Sequence, residues 1–347
     1  MRAPDFWTVR EGRDAAVMLR TLLMPLSWLY AATTARRIAR ARPVAVGAPV
    51  ISIGNLTLGG VGKTPIARLA RARLAALTGG PCAVVSRGHG GSLRGPVAVD
   101  PTRHDFKDVG DEPMMLAADG AVVVARDRAA GARLAVEAGA RAIVLDDGHQ
   151  NPALAKALSI VVVDGETGFG NGFVCPAGPL REPVATGLER ADAVVVMGGR
   201  EDEPVEGLEG FAGPVLRAAL RPRDPAGARA DIGTGPVLGF CGIGRPEKFD
   251  ATLRALGLAV REVLPFADHH VYSDADLRRL TALAQEMDAT LVTTEKDRAR
   301  LPAWMARAVK IVPVEARFSD PDAFDALLRT ALGAAGEART REAAHGR

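Results

Sequence analysis

Aromatic residues are scarce in this chain of 347 residues: Phe, Trp and Tyr make up 4% of it, with two tyrosines and three tryptophans. Surfaces that hold single-stranded nucleic acid interleave basic residues with stacking rings, so this composition argues against nucleic acid as a partner. Cysteine is rarer still. Cys82, Cys175 and Cys241 are odd in number, widely separated and without CxxC spacing. That excludes a disulfide framework and a structural zinc site, and it fits a reducing compartment. Cys82 and Cys241 fall in apolar, strand-like runs and read as small core residues. A strong excess of one charge is missing too: 44 basic against 41 acidic residues leave a net +3. Such a balance accommodates an anionic ligand or an anionic membrane surface and names neither.

One apolar stretch approaches membrane-spanning length, residues 16–35, AVMLRTLLMPLSWLYAATTA. It begins late, follows Arg10, Glu11, Arg13 and Asp14, and runs into Arg36, Arg37, Arg40 and Arg42, which excludes a cleaved signal peptide. Arg20 would cost a spanning helix about 2.5–3.5 kcal/mol, and Pro25 interrupts it. An interfacial amphipathic helix is the expectation, with Trp28 and Tyr30 at the boundary and the arginines on lipid phosphate. A single N-terminal anchor and a helix packed on its own domain are the alternatives.

The stretch that organises the rest is Gly54-Asn-Leu-Thr-Leu-Gly-Gly-Val-Gly-Lys-Thr-Pro65. A β-branched run precedes it and helical spacing follows, so the order is strand, glycine loop, helix. In that order the loop Thr57, Leu58, Gly59, Gly60, Val61 and Gly62 turns backbone N–H groups toward a polyphosphate. Lys63 adds charge at the β- and γ-phosphates of ATP, and Thr64 offers a hydroxyl to Mg²⁺. The strict P-loop pattern has glycine where Thr57 stands.

From residue 49 onward apolar runs alternate with helical stretches, the pattern of an α/β protein with a P-loop NTPase-like, mostly parallel sheet and a second, smaller α/β lobe. Strands are expected at 50–53, 82–86, 121–125, 142–146, 160–164 and 193–197, then at 237–241, 260–265, 290–294 and 310–313. The expected divisions are an N-terminal region over 1–45, a P-loop core over 46–200, a linker or pair of short connecting strands over 201–235, the smaller lobe over 236–335 and a frayed tail over 336–347.

Ala142-Ile-Val-Leu145 ends in Asp146 and Asp147, where a carboxylate beside a P-loop can hold Mg²⁺; the competing reading is a plain turn. Asp111, in Gly110-Asp-Glu-Pro113, is first of all a helix N-cap. His269, in Asp268-His-His270, can be an acid/base group, a ligand or a solvated side chain. Arg87 and Arg181 lie on loops and offer planar forks to phosphate, or are surface charges.

Leu26-Ser-Trp-Leu-Tyr30, Gly54-Asn-Leu-Thr57 running into Gly59-Gly-Val-Gly-Lys-Thr-Pro65, Ser86-Arg-Gly88, Gly110-Asp-Glu-Pro113, Asp146-Asp-Gly148, Pro176-Ala-Gly-Pro-Leu-Arg-Glu-Pro183, Gly242-Ile-Gly244, Asp268-His269 and Thr294-Glu-Lys-Asp297 follow one another in this chain. Together they resemble the tetraacyldisaccharide 4′-kinases of lipid A biosynthesis. That family also carries Ser or Thr at the Thr57 position. The resemblance implies transfer of the ATP γ-phosphoryl to the 4′-hydroxyl of a lipid disaccharide 1-phosphate at the cytoplasmic face of the inner membrane, with no obligate protein partner. It also implies Lys63 and Thr64 on phosphate and Mg²⁺, Asp146 and Asp147 completing the metal site, Asp111 as the base, His269 orienting or assisting it, and Arg181 neutralising charge. The resemblance breaks at His89, His149 and Asn151, where the family has Tyr, Phe and His, so the surroundings of the acceptor are expected to differ. A membrane-associated ATPase switch of the partitioning or septum-placing type is the alternative; it needs a lysine where Leu58 stands.

Overall fold

The computed structural model describes residues 4–9, 12 and 16–345, with side chains through residue 336. The mixed-charge residues Arg10, Glu11, Arg13 and Asp14 lie outside the described residues. Apolar runs become strands β1 (Val50–Gly54), β2 (Cys82–Ser86), β3 (Val97–Ala98), β4 (Val122–Val124), β5 (Ala142–Asp146), β6 (Leu158–Asp164) and β7 (Ala193–Met197). They continue with β8 (Val215–Pro222), β9 (Pro236–Cys241), β10 (Ala259–Pro265), β11 (Thr290–Thr293), β12 (Lys310–Ile311) and β13 (Val314–Phe318).

A nine-stranded sheet runs β13-β8-β7-β6-β1-β5-β2-β4-β3, parallel except for the edge pairs β13/β8 and β3/β4. Its central strands are buried on both faces, which is why they read as continuous apolar runs with no alternation. β1 lies between β5 and β6. The chain therefore leaves β1 toward one half of the sheet and later fills the other. Such a switch point opens a crevice at the carboxyl ends of the strands, where α/β sheets take their ligands. A second sheet, β10-β9-β11-β12, is all parallel.

The expected linker over 201–235 is corrected here. It contains β8, paired in parallel with β7, and the helix Pro225–Ile232. The smaller lobe also ends earlier than 335, because β13 returns to pair antiparallel with β8. Residues between these two strands thus form a lobe inserted into the large sheet. Both strands sit toward the sheet edge, where β8 is largely uncovered and β13 buries only Ala316 and Phe318, so neither carries the apolar run that marks a strand in sequence. After β13 the helix Pro321–His345 lays Phe324, Leu328 and Ala331 against Ile66, Ala70 and Leu74 of the helix Lys63–Thr78. Helix continues where fraying was expected, through His345; residues 346–347 lie outside the described residues.

The helix Val17–Ala39 is turned inside out. Its buried side chains are Ser27 and Thr34, whereas Met18 (80% exposed), Leu22 (71%), Trp28 (65%) and Leu29 (62%) face outward. No helix among the described residues is long and apolar enough to cross a membrane.

Phe324 is 1% exposed and stacks on Phe318 with ring centroids 4.2 Å apart. Phe324→Ala is expected to cost about 3–5 kcal/mol, read as a lower midpoint in urea unfolding.

Candidate active site

β1 ends in Gly54, and the loop after it is held from inside. Asn55 is fully buried, and its Nδ2 donates to the Thr57 carbonyl at 2.8 Å and to Thr57 Oγ1 at 3.2 Å. Its Oδ1 accepts from Lys63 Nζ at 3.0 Å. The chain enters the helix through Gly62 at φ +87°, where a Cβ would also lie 2.9 Å from Met197 Cγ. Only glycine satisfies both the turn and that approach. Lys63 is the first helical residue, so the loop leads directly into a helix N-terminus.

Asp146 closes β5 beside β1, and Asp147 follows in the left-handed region at φ +55°. That turn brings the Asp147 carboxylate to Arg181 NH1 at 2.8 and 2.9 Å and to Lys63 Nζ at 3.5 Å. Arg181 Nε also donates to the Thr57 carbonyl at 3.2 Å, and the segment around it hydrogen-bonds the loop through Arg181 N to Leu56 O and Leu58 N to Pro179 O, both 2.7 Å. Lys63, Asp147, Arg181 and the loop thus form one cluster. Burial opposes the charged form of Asp147, but Lys63 and Arg181 together hold its pKa below the usual carboxylate range.

Asp146 behaves oppositely. Burial, then Glu112 and Asp147, push its pKa up to about 7 against Lys63 and Arg128. Its Oδ1 is buried with no hydrogen-bond partner. A hard divalent cation relieves both conditions at once, so this acid pair with the Thr64 hydroxyl fits Mg²⁺. The described residues contain no cluster of three or more His, Cys, Asp or Glu able to hold a metal by themselves. Mg²⁺ usually completes its shell with water and nucleotide phosphate, which such a sparse donor set requires.

Asp111 is corrected from N-cap to first helical residue: Gly110 caps the helix Asp111–Ala117. Gly110 sits at φ +94°, and a Cβ on it would lie 2.4 Å from the His89 carbonyl oxygen. Asp111 is 5% exposed; its Oδ1 accepts from Glu112 N at 2.9 Å, and its Oδ2 lies 2.9 Å from His269 Nδ1. His269 comes from the loop after β10 in the inserted lobe, at φ +58°. Asp111 and His269 thus meet although they come from different lobes. Burial alone would raise Asp111, but His269, Lys296 and Arg300 outweigh it and leave its pKa lowered. The same hydrogen bond to Asp111 raises His269 against burial and Lys296.

Several participants escaped the sequence reading. Asn55 and Gln150 brace the loop, the latter donating to Asn55 O at 2.8 Å and Glu182 Oε1 at 2.9 Å. Lys296 and Arg300 reach Asp111 Oδ2 at 4.0 and 3.5 Å. His149 is buried, on Ser159 Oγ at 3.1 Å and Gly187 O at 2.9 Å.

Residues 19–333 match the family described as tetraacyldisaccharide-1-P 4′-kinase. The chain belongs to the tetraacyldisaccharide 4′-kinase family. A tetraacyldisaccharide 4′-kinase of Caulobacter vibrioides (strain NA1000 / CB15N) is 52% identical over 337 residues, covering 94% of this chain and 97% of its own. That of Maricaulis maris (strain MCS10) is 49% identical over 342 residues, covering 96% and 97%. A crystal structure of LpxK from Aquifex aeolicus in complex with ATP shares the fold with TM-score 0.72 and 26% identity, over 90% of this chain and 99% of that one. As a tetraacyldisaccharide 4′-kinase the chain is an ATP-dependent phosphotransferase of lipid A biosynthesis, which sets the partitioning-type ATPase aside.

Burial, with Lys156 and Arg190 nearby, pushes His149 down to about 4. As pH falls, the unfolded chain, titrating near about 6.5, takes the proton first. Stability from this site is present above about pH 6.5 and is lost toward pH 4. Urea unfolding across that window should show a slope that His149→Phe lacks.

Proposed function

We propose that this kinase takes the proton of the sugar 4′-hydroxyl on Asp111 while the γ-phosphoryl of ATP passes to that oxygen. The observation that carries this reading is the 2.9 Å contact between Asp111 Oδ2 and His269 Nδ1, a buried carboxylate oriented by an imidazole within a P-loop fold. The new bond joins the sugar oxygen to the γ-phosphorus, the bond to the bridging oxygen of ADP breaks, and the hydroxyl proton ends on Asp111. His269 orients the carboxylate. Lys63 and the loop Thr57, Leu58, Gly59, Gly60, Val61 and Gly62 receive the phosphates. Arg181 balances charge on the transferred group, as its place against Thr57 and Asp147 supports.

Thr64, Asp146 and Asp147 are the residues that would hold Mg²⁺, whose chemistry when bound is neutralisation of phosphate charge. A lowered Asp111 pKa keeps the base ionised throughout the neutral range, so kcat/KM is expected to stay level as pH falls until the carboxylate itself protonates, below its ordinary range.

We infer that a lipid disaccharide 1-phosphate is the acceptor taken at this site and that the protein works at the cytoplasmic face of the inner membrane. The outward apolar side chains of the helix Val17–Ala39, followed by Arg36 and Arg37, support a helix lying in the headgroup region of an anionic bilayer.

Transfer of labelled γ-phosphate to tetraacyldisaccharide 1-phosphate in micelles tests the assignments. Lys63→Ala is expected to lose about 10²–10³-fold in turnover and to bind ATP weakly. Asp111→Asn should lose about 10²–10⁴-fold while binding ATP normally. Equal weakening of ATP binding in both variants would remove Asp111 from the role of base. Replacing Leu22 and Trp28 together by Asp should abolish flotation with anionic vesicles and leave ATP binding intact; unchanged flotation would refute the membrane reading.

A further inference from the structure

Lys296 has no part in the scheme above, yet it is placed against every member of the Asp111 site. It lies on the short helix Glu295–Arg298, directly after the turn that follows β11. Its Nζ is 3.1 Å from His269 Nε2, 4.0 Å from Asp111 Oδ2, 3.7 Å from Glu112 Oε1 and 3.6 Å from Asp268 Oδ1.

We propose that Lys296 is a positioning residue that selects the Nδ1–H tautomer of neutral His269 and opposes, against the pull of Asp111, protonation at Nε2. An ammonium has three donors and no acceptor, so contact with Nε2 is favourable only when that nitrogen carries its lone pair. The ring proton then resides on Nδ1 and is donated to Asp111 Oδ2. An imidazolium would set an N–H and a positive charge against the ammonium at 3.1 Å. His269 therefore orients Asp111 without accepting its proton. The proton taken from the sugar hydroxyl stays on the carboxylate until it leaves to solvent.

Arg300 also faces Asp111 Oδ2, at 3.5 Å, but is itself 3% exposed and paired with Asp297 at 2.8 Å. Asp268 Oδ1 is 3.9 Å from His269 Nε2 and Glu112 faces Lys296, so two carboxylates hold the ammonium in place. The His89 ring stands edge-on to His269 at 6.0 Å. Lys296 is the only one of these cations whose nitrogen contacts the imidazole within hydrogen-bond distance among the described residues.

The backbone of Lys296 is fixed from both sides. Glu295 accepts from Arg68 NH1 at 3.0 and 3.2 Å and from NH2 at 3.2 Å, and Arg68 is on the helix that begins with Lys63. On the other side, Thr294 caps the short helix through Asp297 N at 3.0 Å. The helix that receives phosphate at its N-terminus thus also sets where Lys296 reaches the dyad.

The inference rests on Asp111 as the base, and its test separates the two. In the full-length protein labelled with ¹⁵N-histidine, His269 is assigned by difference with His269→Gln. At a pH where the ring is neutral, the wild type should show Nε2 unprotonated and Nδ1 protonated. Lys296→Met should give mixed tautomers, an imidazolium persisting to higher pH, and an acid limb of kcat/KM moved upward. Its kcat should fall about tenfold, the equivalent of one pKa unit at the dyad, with KM for ATP within about twofold. Lys296→Arg, which keeps the charge, should retain the Nδ1–H signal and shows that the effect is not loss of fold. An unchanged tautomer and pH profile in Lys296→Met would overturn the proposal. A shifted tautomer alongside full turnover in Asp111→Asn would uphold the role of Lys296 and overturn Asp111 as the base.

Discussion

A carboxylate that is 5% exposed stays ionised only where donors and positive charge replace the water it has lost, and Asp111 obtains nearly all of them from the inserted lobe. His269, Lys296 and Arg300 belong to that lobe, whereas Asp111 belongs to the crossover between β2 and β4 of the large sheet. Neither sheet brings Asp111 and His269 together by itself. The arrangement requires the lobe to be docked, and the docking is itself ionic: Arg68 and Arg223 grip Glu295 on one side, and Lys248 reaches Asp164 and Glu166 on the other. Because Arg68 is buried while Glu166 and Lys248 are considerably exposed, the first contact carries more weight and the second is the more screened by salt.

A hidden network keeps Arg300 in register. Asp297 is fully buried and accepts from Gly242 N at 2.8 Å, from Tyr272 OH at 2.7 Å and from Arg300 NH2 at 2.8 Å. Arg300 also donates to the carbonyls of Gly242 and His270, each at 3.0 Å. Every one of these groups lies beside the turn that presents His269. A buried polar network with all members paired specifies a single arrangement, because any shift leaves an unpaired donor or charge in low dielectric. The left-handed backbone at His269 is held by this frame.

The large sheet was legible because its inner strands are buried on both faces, so their apolar runs, such as Ala142-Ile-Val-Leu145 ahead of Asp146, stand out against polar turns. The edge strands were not. β8 exposes much of each face and β13 buries only Ala316 and Phe318, and Val215-Leu-Arg-Ala-Ala-Leu-Arg-Pro222 has neither alternation nor a run, so the return of the chain to its first sheet left no local trace. The loop and its acids were legible because phosphate chemistry demands glycine, lysine and carboxylate in fixed order. Lys296 and Asn55 were not, since their work depends on which side chains they meet across the fold. What His149 faces was not legible, because a resemblance compares letters at a position, while the fold buries this side chain on Ser159 and Gly187.

The N-terminal helix bears on the chemistry through one loop. Ser27 Oγ accepts from Ala177 N at 3.1 Å, Trp7 Nε1 donates to Pro176 O at 3.1 Å, and the Arg20 guanidinium lies 4.7 Å over the Phe173 ring. The same loop, a few residues on, pairs with the phosphate loop through Thr57 and Leu180 and presents Arg181 to Asp147. Ser27 of this helix is thus spent on the loop, while Met18, Leu22, Trp28 and Leu29 stay exposed among the described residues. An apolar surface of this size next to water is costly unless something apolar covers it. A bilayer surface covering it would set the height of Arg181 and Lys63 above the headgroups through that single loop, so that the reach from a lipid-borne hydroxyl to the γ-phosphoryl is governed by short, hydrogen-bonded backbone and not by a flexible tether.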